Sequence, residues 1–286
     1  MVVRKISHRC FLAARNWEQN QLLRSGSFGD QGAYWGEGAV EVDRLCWQQA
    51  VNTVDEYGGA TPLLGEEDEH RGKDEIRGRW VQKILDQNRP FFLVDPLDGT
   101  NQLVAMGERT GWAACALLVD GDRFKCSVRL GDGREVFSDG EGVFLRSDDG
   151  LEVPLRAKDK HEGFSRGHWV IPAARRQQIL NVTKMLEKNP DIHWINPLAG
   201  TAGLLASLGF ASADGALASK SYAWDLMGVL LLAEAGFPVL NRDGKLLSGT
   251  DVLAVMKDAL IQGKRADDLI VGRTIDCAEE LLASLA

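Results

Sequence analysis

The sequence predicts a chain of mixed α+β and α/β class: a helix pair plus an antiparallel sheet over residues 1–160, then an alternating α/β half over residues 161–286. Three observations predict it. Two stretches near the start carry apolar residues at helical spacing. Short apolar runs between Trp112 and Arg146 are separated only by Gly/Asp turns. Strands joined so closely pair as antiparallel hairpins, because a parallel crossover needs about a dozen residues. Beyond a polar joint, Lys158 to Gly167, helical and strand-like segments alternate.

Taken in order, Val3 to Leu23 reads as an amphipathic helix with Ile6, Cys10, Ala14 and Trp17 on one stripe. Gly26 to Gly38 holds glycines at 26, 29, 32, 36 and 38 with no apolar period, and reads as a loop joining two helices. Val42 to Tyr57 is the second helix, closed by Gly58-Gly59. Leu63-Leu64-Gly65-Glu66-Glu67 is an apolar run ending in paired acids, and Glu66 to Arg79 is charged enough to read as a solvated loop entering a helix from about Asp74 to Gln87. Phe91 to Val94 is a short buried strand followed by a rigid turn. Strands are expected at Trp112 to Val119, Phe124 to Leu130, Arg134 to Phe137 and Val143 to Arg146. In the second half, helices are expected over Ala173 to Glu187, Thr201 to Leu208, a stretch opening at Asp225, and Ile275 to Leu285. Strands are expected at Ile192 to Ile195, Ala216-Leu217, Pro238 to Leu240 and Leu269 to Val271, with a turn at Asn241 to Lys245.

At 286 residues, 44% hydrophobic and 26% charged, the composition is that of a globular protein of one or two domains. A formal net charge of −8 argues against a nucleic-acid polymer as partner. No apolar stretch approaches the ~20 residues that span a bilayer. Met1 to Lys5 lacks the apolar region of a secretory signal, so the expected location is cytoplasmic. The five cysteines are scattered without a C-x-x-C pair, which suits neither zinc nor a disulfide framework; most read as small buried hydrophobes. The five histidines show no metal-ligand spacing.

The informative segment is Asp95-Pro96-Leu97-Asp98-Gly99-Thr100, directly after Phe91 to Val94. It combines two carboxylates, the Leu97 carbonyl and the amides of Gly99 and Thr100. Hard divalent cations take oxygen ligands of this kind, and Mg²⁺ is commonly held by a few carboxylates plus substrate phosphate. Amides at a helix start suit an anion. Glu66, Asp225 after Trp224, and Asp43 each sit at the edge of an apolar element, so all of them can converge on this turn. The carboxylates of Glu66, Asp95, Asp98 and Asp225 placed around one point repel by about 4 kcal/mol per pair at ~4 Å and an effective dielectric near 20. Two or three Mg²⁺ ions remove that conflict.

The segments G-E-E (Gly65 to Glu67), D-P-L-D-G-T (Asp95 to Thr100) and W-D followed by E-A-G (Trp224, Asp225, Glu234 to Gly236) occur in one order along the chain. Together they resemble the signature set of the inositol monophosphatase family, whose superfamily includes fructose-1,6-bisphosphatases and 3′(2′),5′-bisphosphate nucleotidases. The match runs from roughly Asp43 to Arg273. The resemblance implies a layered αβαβα sandwich and a Mg²⁺-dependent, Li⁺-sensitive phosphatase acting on a small phosphate monoester, commonly as a homodimer. It further implies that Glu66, Asp95 and the Leu97 carbonyl hold a first metal, that Asp95, Asp98 and Asp225 hold a second, and that Asp43 serves a third.

On that reading, water is the nucleophile and Thr100, Asp43 or Glu66 receives its proton, while Gly99 and Thr100 amides hold the phosphate and Asp98 and Asp225 face the substrate. Glu67 either acts through water or is surface. The 26–38 loop either lies over the site or is a plain linker. Trp224 either packs in the core, fixing Asp225, or touches substrate. Gly200-Thr201-Ala202 either presents amides to the non-phosphate part of the substrate or merely starts a helix.

Two departures bear on the substrate. The family's inositol-binding Glu, seven residues before the W-D aspartate, is Ala218 here, and the Thr before the Asp43 position is Val42. Lys220 either reaches a second phosphate or sugar oxygen or is an exposed loop lysine. These changes turn attention from myo-inositol phosphate toward a bisphosphonucleotide or sugar bisphosphate. A non-catalytic relative that binds metal and sugar phosphate is the alternative of another class.

Overall fold

The computed structural model describes residues 1–25, 35–66, 68, 74–100, 103, 111–157, 168–171, 176–188, 194–196, 208–209 and 213–285. Among them run α1 (Val2–Ser25), α2 (Trp35–Tyr57), β1 (Leu63–Gly65), α3 (Asp74–Asp86), β2 (Phe91–Asp98), β3 (Ala113–Asp120), β4 (Arg123–Leu130), β5 (Glu135–Ser138), β6 (Val143–Arg146) and β7 (Glu152–Pro154). The second half contributes β8 (His168–Val170), α4 (Arg176–Lys188), β9 (Trp194–Asn196), β10 (Gly215–Ala218), a 3-10 turn (Ala223–Leu226), α5 (Met227–Glu234), β11 (Val239–Asn241), β12 (Leu246–Leu247), α6 (Gly249–Gln262), β13 (Leu269–Gly272) and α7 (Ile275–Leu285).

Strands β1 to β7 form one sheet in chain order; β1 and β2 are parallel, and every later pair is antiparallel. The second sheet runs β12-β11-β13-β10-β8-β9. It is mixed: β8 pairs in parallel with β9 and β10, whereas β13 is antiparallel to both β10 and β11.

Side-chain alternation along the strands sorts the core into layers. Phe92 and Val94 of β2 and Ala114 and Ala116 of β3 pack with Ile6, Cys10, Ala14, Val42, Cys46 and Ala50 of α1 and α2. Their neighbours Phe91, Leu93, Ala113, Cys115 and Leu117 face the opposite way. They share one cluster with Val81 and Ile84 of α3, α5, α6, and Ala216, Ala218, Val239 and Val271 of the second sheet. Leu217, Leu240 and Ile270 then face outward onto Met185 of α4 and Cys277, Ala278 and Leu281 of α7. The order is helix pair, sheet, three helices, sheet, two helices, which is the αβαβα sandwich. All five cysteines are buried and unpaired. Burial pushes the Cys10 thiol up to about 12.

Several expected boundaries move. The second helix begins at Trp35 rather than Val42, so Trp35 to Gly38 of the glycine-rich stretch are helical; Gly26 to Tyr34 lie outside the described residues. A helix glycine costs about 1 kcal/mol, and α2 tolerates its N-terminal pair because the rest of its apolar face is buried. The strand at Phe91 does not stop at Val94 but continues through Asp98. Asp225 falls in a 3-10 turn instead of opening α5. Strands β7, β8 and β12 and helix α6 were not anticipated. The joint Lys158 to Gly167 and the helix expected from Thr201, apart from Leu208, lie outside the described residues. Among the described residues no helix is long and apolar enough to cross a membrane.

Candidate metal and phosphate site

Residues three apart on a regular strand project to opposite faces. Asp95 and Asp98 do not. Asp95 pairs with Cys115 and Asp98 with Ala113, so three steps on β2 match two on β3, and the register shifts between them. This is a bulge, at a place where Pro96, having no N–H, removes nothing from the ladder. Leu97 lands in the α1/α2 cluster, although the odd-numbered Phe91 and Leu93 belong to the central one. Asp98 is thereby returned to the face that Asp95 occupies. Both are buried.

The third carboxylate arrives from the central layer. Tyr222 N–H donates to Asp225 Oδ2 at 2.9 Å, and Asp225 N–H donates to Tyr222 O at 3.1 Å, which fixes the 3-10 turn. Oxygen atoms of Asp95, Asp98 and Asp225 all lie within 4.8 Å of one another.

Glu66 and Asp43 stand near this trio. Gly65 pairs with Val94 across the parallel β1–β2 ladder, one residue short of Asp95. A Cβ on Gly65 would sit 2.5 Å from the Val94 carbonyl and 2.8 Å from the Trp47 ring, so any side chain here would force β1, which delivers Glu66, away from its neighbours. Asp43, on α2, accepts from Thr100 Oγ1 at 2.8 Å. That hydroxyl also lies 2.9 Å from the Leu97 carbonyl, and Leu97 N–H donates to Asp95 Oδ1 at 3.3 Å. Gly99 has φ +85°, the left-handed turn that glycine adopts without strain.

The electrostatics report convergence. Burial first, and then the negative charges of Asp98, Asp225, Glu66 and Asp43, hold the Asp95 carboxyl well above the usual carboxylate range. Burial, followed by Asp98 and Asp95, raises the Cys115 thiol in the same way. A set of hard oxygen donors carrying excess negative charge fits a divalent cation such as Mg²⁺.

Other expected residues fall elsewhere. Lys220 is exposed at φ +47°, its Nζ 2.5 Å from Asp267 Oδ1 and its N–H on Asp268 Oδ1 at 3.0 Å. Asp267 holds its ammonium pKa up. Ala218 is fully buried in the central core. Trp224 is buried and stacks on Tyr222. Glu67 and Gly200-Thr201-Ala202 lie outside the described residues.

The charged stretch from Glu66 to Arg79 is not simply solvated, because Asp68 and Arg77 within it are buried and paired. A sequence reading would find that pair only by noticing Arg77 on the same helical face as Val81 and Ile84.

No family model matches the sequence, and no curated protein matches it. Solved structures do match. SuhB of Mycobacterium tuberculosis superposes with a TM-score of 0.68 at 17% identity over 99% of this chain and 94% of that one. The extragenic suppressor protein suhB of Bartonella henselae gives 0.66 at 17% identity over 99% and 97%. A staphylococcal inositol monophosphatase, IMPase-II, solved with 2′AMP bound, gives 0.65 at 16% identity over 96% and 90%. The same enzyme with inositol monophosphate bound gives 0.63 at 15% identity over 96% and 89%. The likeness extends over nearly the whole chain, and the fold is that of the inositol monophosphatases.

Proposed function

We propose that this chain is a Mg²⁺-dependent, Li⁺-sensitive phosphatase that hydrolyses a small phosphate monoester by direct attack of water. The observation that carries the reading is the bulge in β2, which brings Asp95 and Asp98 to one face within 4.8 Å of Asp225. Fold neighbours crystallised with 2′AMP and with inositol monophosphate support the substrate class. Glu66, Asp95 and the Leu97 carbonyl would hold one ion; Asp95, Asp98 and Asp225 a second; Asp43 a third. Bound at such a site, divalent ions acidify a coordinated water and offset charge on phosphoryl and leaving oxygens.

The protein's own part is orientation and proton transfer. Thr100 Oγ1 takes a proton from the attacking water and passes its own to Asp43 across the 2.8 Å contact. Glu66 stands as the second acceptor. Gly99 and Thr100 amides take the phosphate oxygens. No covalent phospho-enzyme is required.

The doubly phosphorylated substrate rests on Lys220, whose ammonium would have to leave Asp267 to reach a second phosphate. The non-catalytic alternative is disfavoured because every expected acidic ligand is present. Phosphate release from inositol phosphates, sugar phosphates, bisphosphonucleotides and histidinol phosphate, with Mg²⁺ and with EDTA, tests the proposal. Release that requires Mg²⁺ supports it. No release from any ester with Mg²⁺ present would leave only the binding-protein reading.

A further inference from the structure

Behind the carboxylates lies a buried ion pair that the chemistry above does not use. Asp68 and Arg77 are each 4% exposed. Arg77 Nε lies 3.0 Å from Asp68 Oδ2 and Nη2 lies 3.0 Å from Oδ1, a two-point grip. Asp68 in turn accepts from Gly65 N–H at 3.3 Å, and its own N–H donates to Gly65 O at 3.4 Å. The turn that carries Glu66 is therefore clamped from behind.

Arg77 also reaches the other segment. Its guanidinium carbon stands 5.2 Å from the ring centre of Trp224, within cation–π range. Trp224 stacks on Tyr222 with ring centres 4.9 Å apart, and Tyr222 N–H holds Asp225. The buried Trp224 Nε1 meets no hydrogen-bond partner among the described residues, and its ring meets the Arg77 guanidinium and the Tyr222 ring. Helix α3 delivers Arg77 at fixed depth. Its next residue is Gly78, where a Cβ would collide with the Ile261 carbonyl at the end of α6.

A buried Arg–carboxylate pair gains little net stability, because desolvation offsets the attraction. What it does supply is direction, since the planar fork fixes both partners. We infer that Arg77 is a positioning residue that ties the two cation-holding segments together: Glu66 through Asp68 and Gly65, and Asp225 through Trp224 and Tyr222. The carboxylates are then placed before an ion arrives. This inference rests on the metal-dependent reading above.

The test is calorimetric titration of the whole protein with MgCl₂, comparing wild type, Arg77→Lys and the double variant Asp68→Asn/Arg77→Met. Arg77→Lys keeps a cation beside Asp68 but loses the fork and the flat contact with Trp224. The double variant removes both charges together, so no buried charge is orphaned if the single change unfolds the chain. The Mg²⁺ dissociation constant should rise about tenfold or more in both, as when outer-shell partners of a metal site are removed. The melting temperature of metal-free Arg77→Lys should stay within a few degrees of wild type.

In a phosphate-release assay, half-saturating Mg²⁺ should rise in parallel while kcat at saturating Mg²⁺ returns close to wild type. Mg²⁺ affinity within twofold of wild type in both variants overturns the inference. So does kcat lost at saturating Mg²⁺ with affinity unchanged. Wild type that binds Mg²⁺ but cleaves no ester would sink the phosphatase reading, and the affinity comparison would still judge Arg77. Wild type that binds no Mg²⁺ sinks both.

Discussion

Asp95 and Asp98 lie on the same face of β2 although three positions separate them, because the strand gains a residue against β3 between the Cys115 and Ala113 pairings. Their closeness to Asp225 is therefore set by backbone register as much as by side-chain choice. Replacing Asp98 or Asp225 with Asn keeps shape and removes one charge from the trio. A unit charge at ~4 Å is worth about 4 kcal/mol at an effective dielectric near 20, which is roughly 10³ in rate. Asp98→Asn and Asp225→Asn should each lower kcat on that order with unchanged far-UV circular dichroism. Turnover within tenfold of wild type in either would refute their assignment.

Thr100 bridges the Leu97 carbonyl and Asp43 through one hydroxyl. If that hydroxyl carries the proton, Thr100→Ala should cost about 10² in kcat, at the lower end for general acid–base catalysis, with KM little changed. Thr100→Ser restores the hydroxyl and should recover most of the rate. Equal losses in the two variants would mean that the methyl group, not the oxygen, matters. Steady-state kinetics on both variants decides.

Much of this was legible in advance, and the illegible parts have physical reasons. The hairpins from Ala113 to Arg146 were readable because glycine turns leave their strands no other pairing. Strict alternation would have set Asp95 and Asp98 on opposite faces, and the sequence carries no direct sign of the bulge beyond Pro96. The convergence of the trio was readable from the places of these acids at the ends of apolar elements and from the resemblance, not from period. Helix α6 escaped notice although its signals exist. Ser248 and Asp251 form a capping box, and Gly263 closes the helix at φ +60°. Arg77 and Asp68 were hidden by composition, since a run of charges gives no hint of which two members will be buried together.

Gly65 offers a test of how tightly β1 must approach β2. An added methyl would press on both the Val94 carbonyl and the Trp47 ring. Overpacking of this kind costs about 1–3 kcal/mol, and each kcal/mol lowers the melting temperature by roughly 2–4 °C in chains of similar size. Gly65→Ala should show that loss by calorimetry. It should also weaken Mg²⁺ activation, because the strand end that carries Glu66 is pushed away from Asp95. An unchanged melting temperature would mean that β1 has room to shift.

The raised Asp95 carboxyl makes the metal-free protein sensitive to pH in a defined direction. The ordinary Asp value is 3.8, and in the folded chain burial and four neighbouring acids lift it well above that. Between the two values the unfolded chain is ionised while the folded one keeps its proton, so the folded state binds more protons. Stability from this group is then fully present below the unfolded value and is lost as pH rises through the folded one. In EDTA the melting temperature should fall as pH is raised from about 4. Added Mg²⁺ stabilises the folded state by mass action, and it should do so more strongly at the higher pH, where it no longer competes with the proton. Asp95→Asn removes the crowded charge. Its metal-free form should melt several degrees above wild type at neutral pH, lose the downward pH slope, and gain little from Mg²⁺. Scanning calorimetry of both proteins from pH 4 to 8, with and without Mg²⁺, provides the check; a metal-free wild type that grows more stable across that range would show that Asp95 is ionised in the fold without a cation.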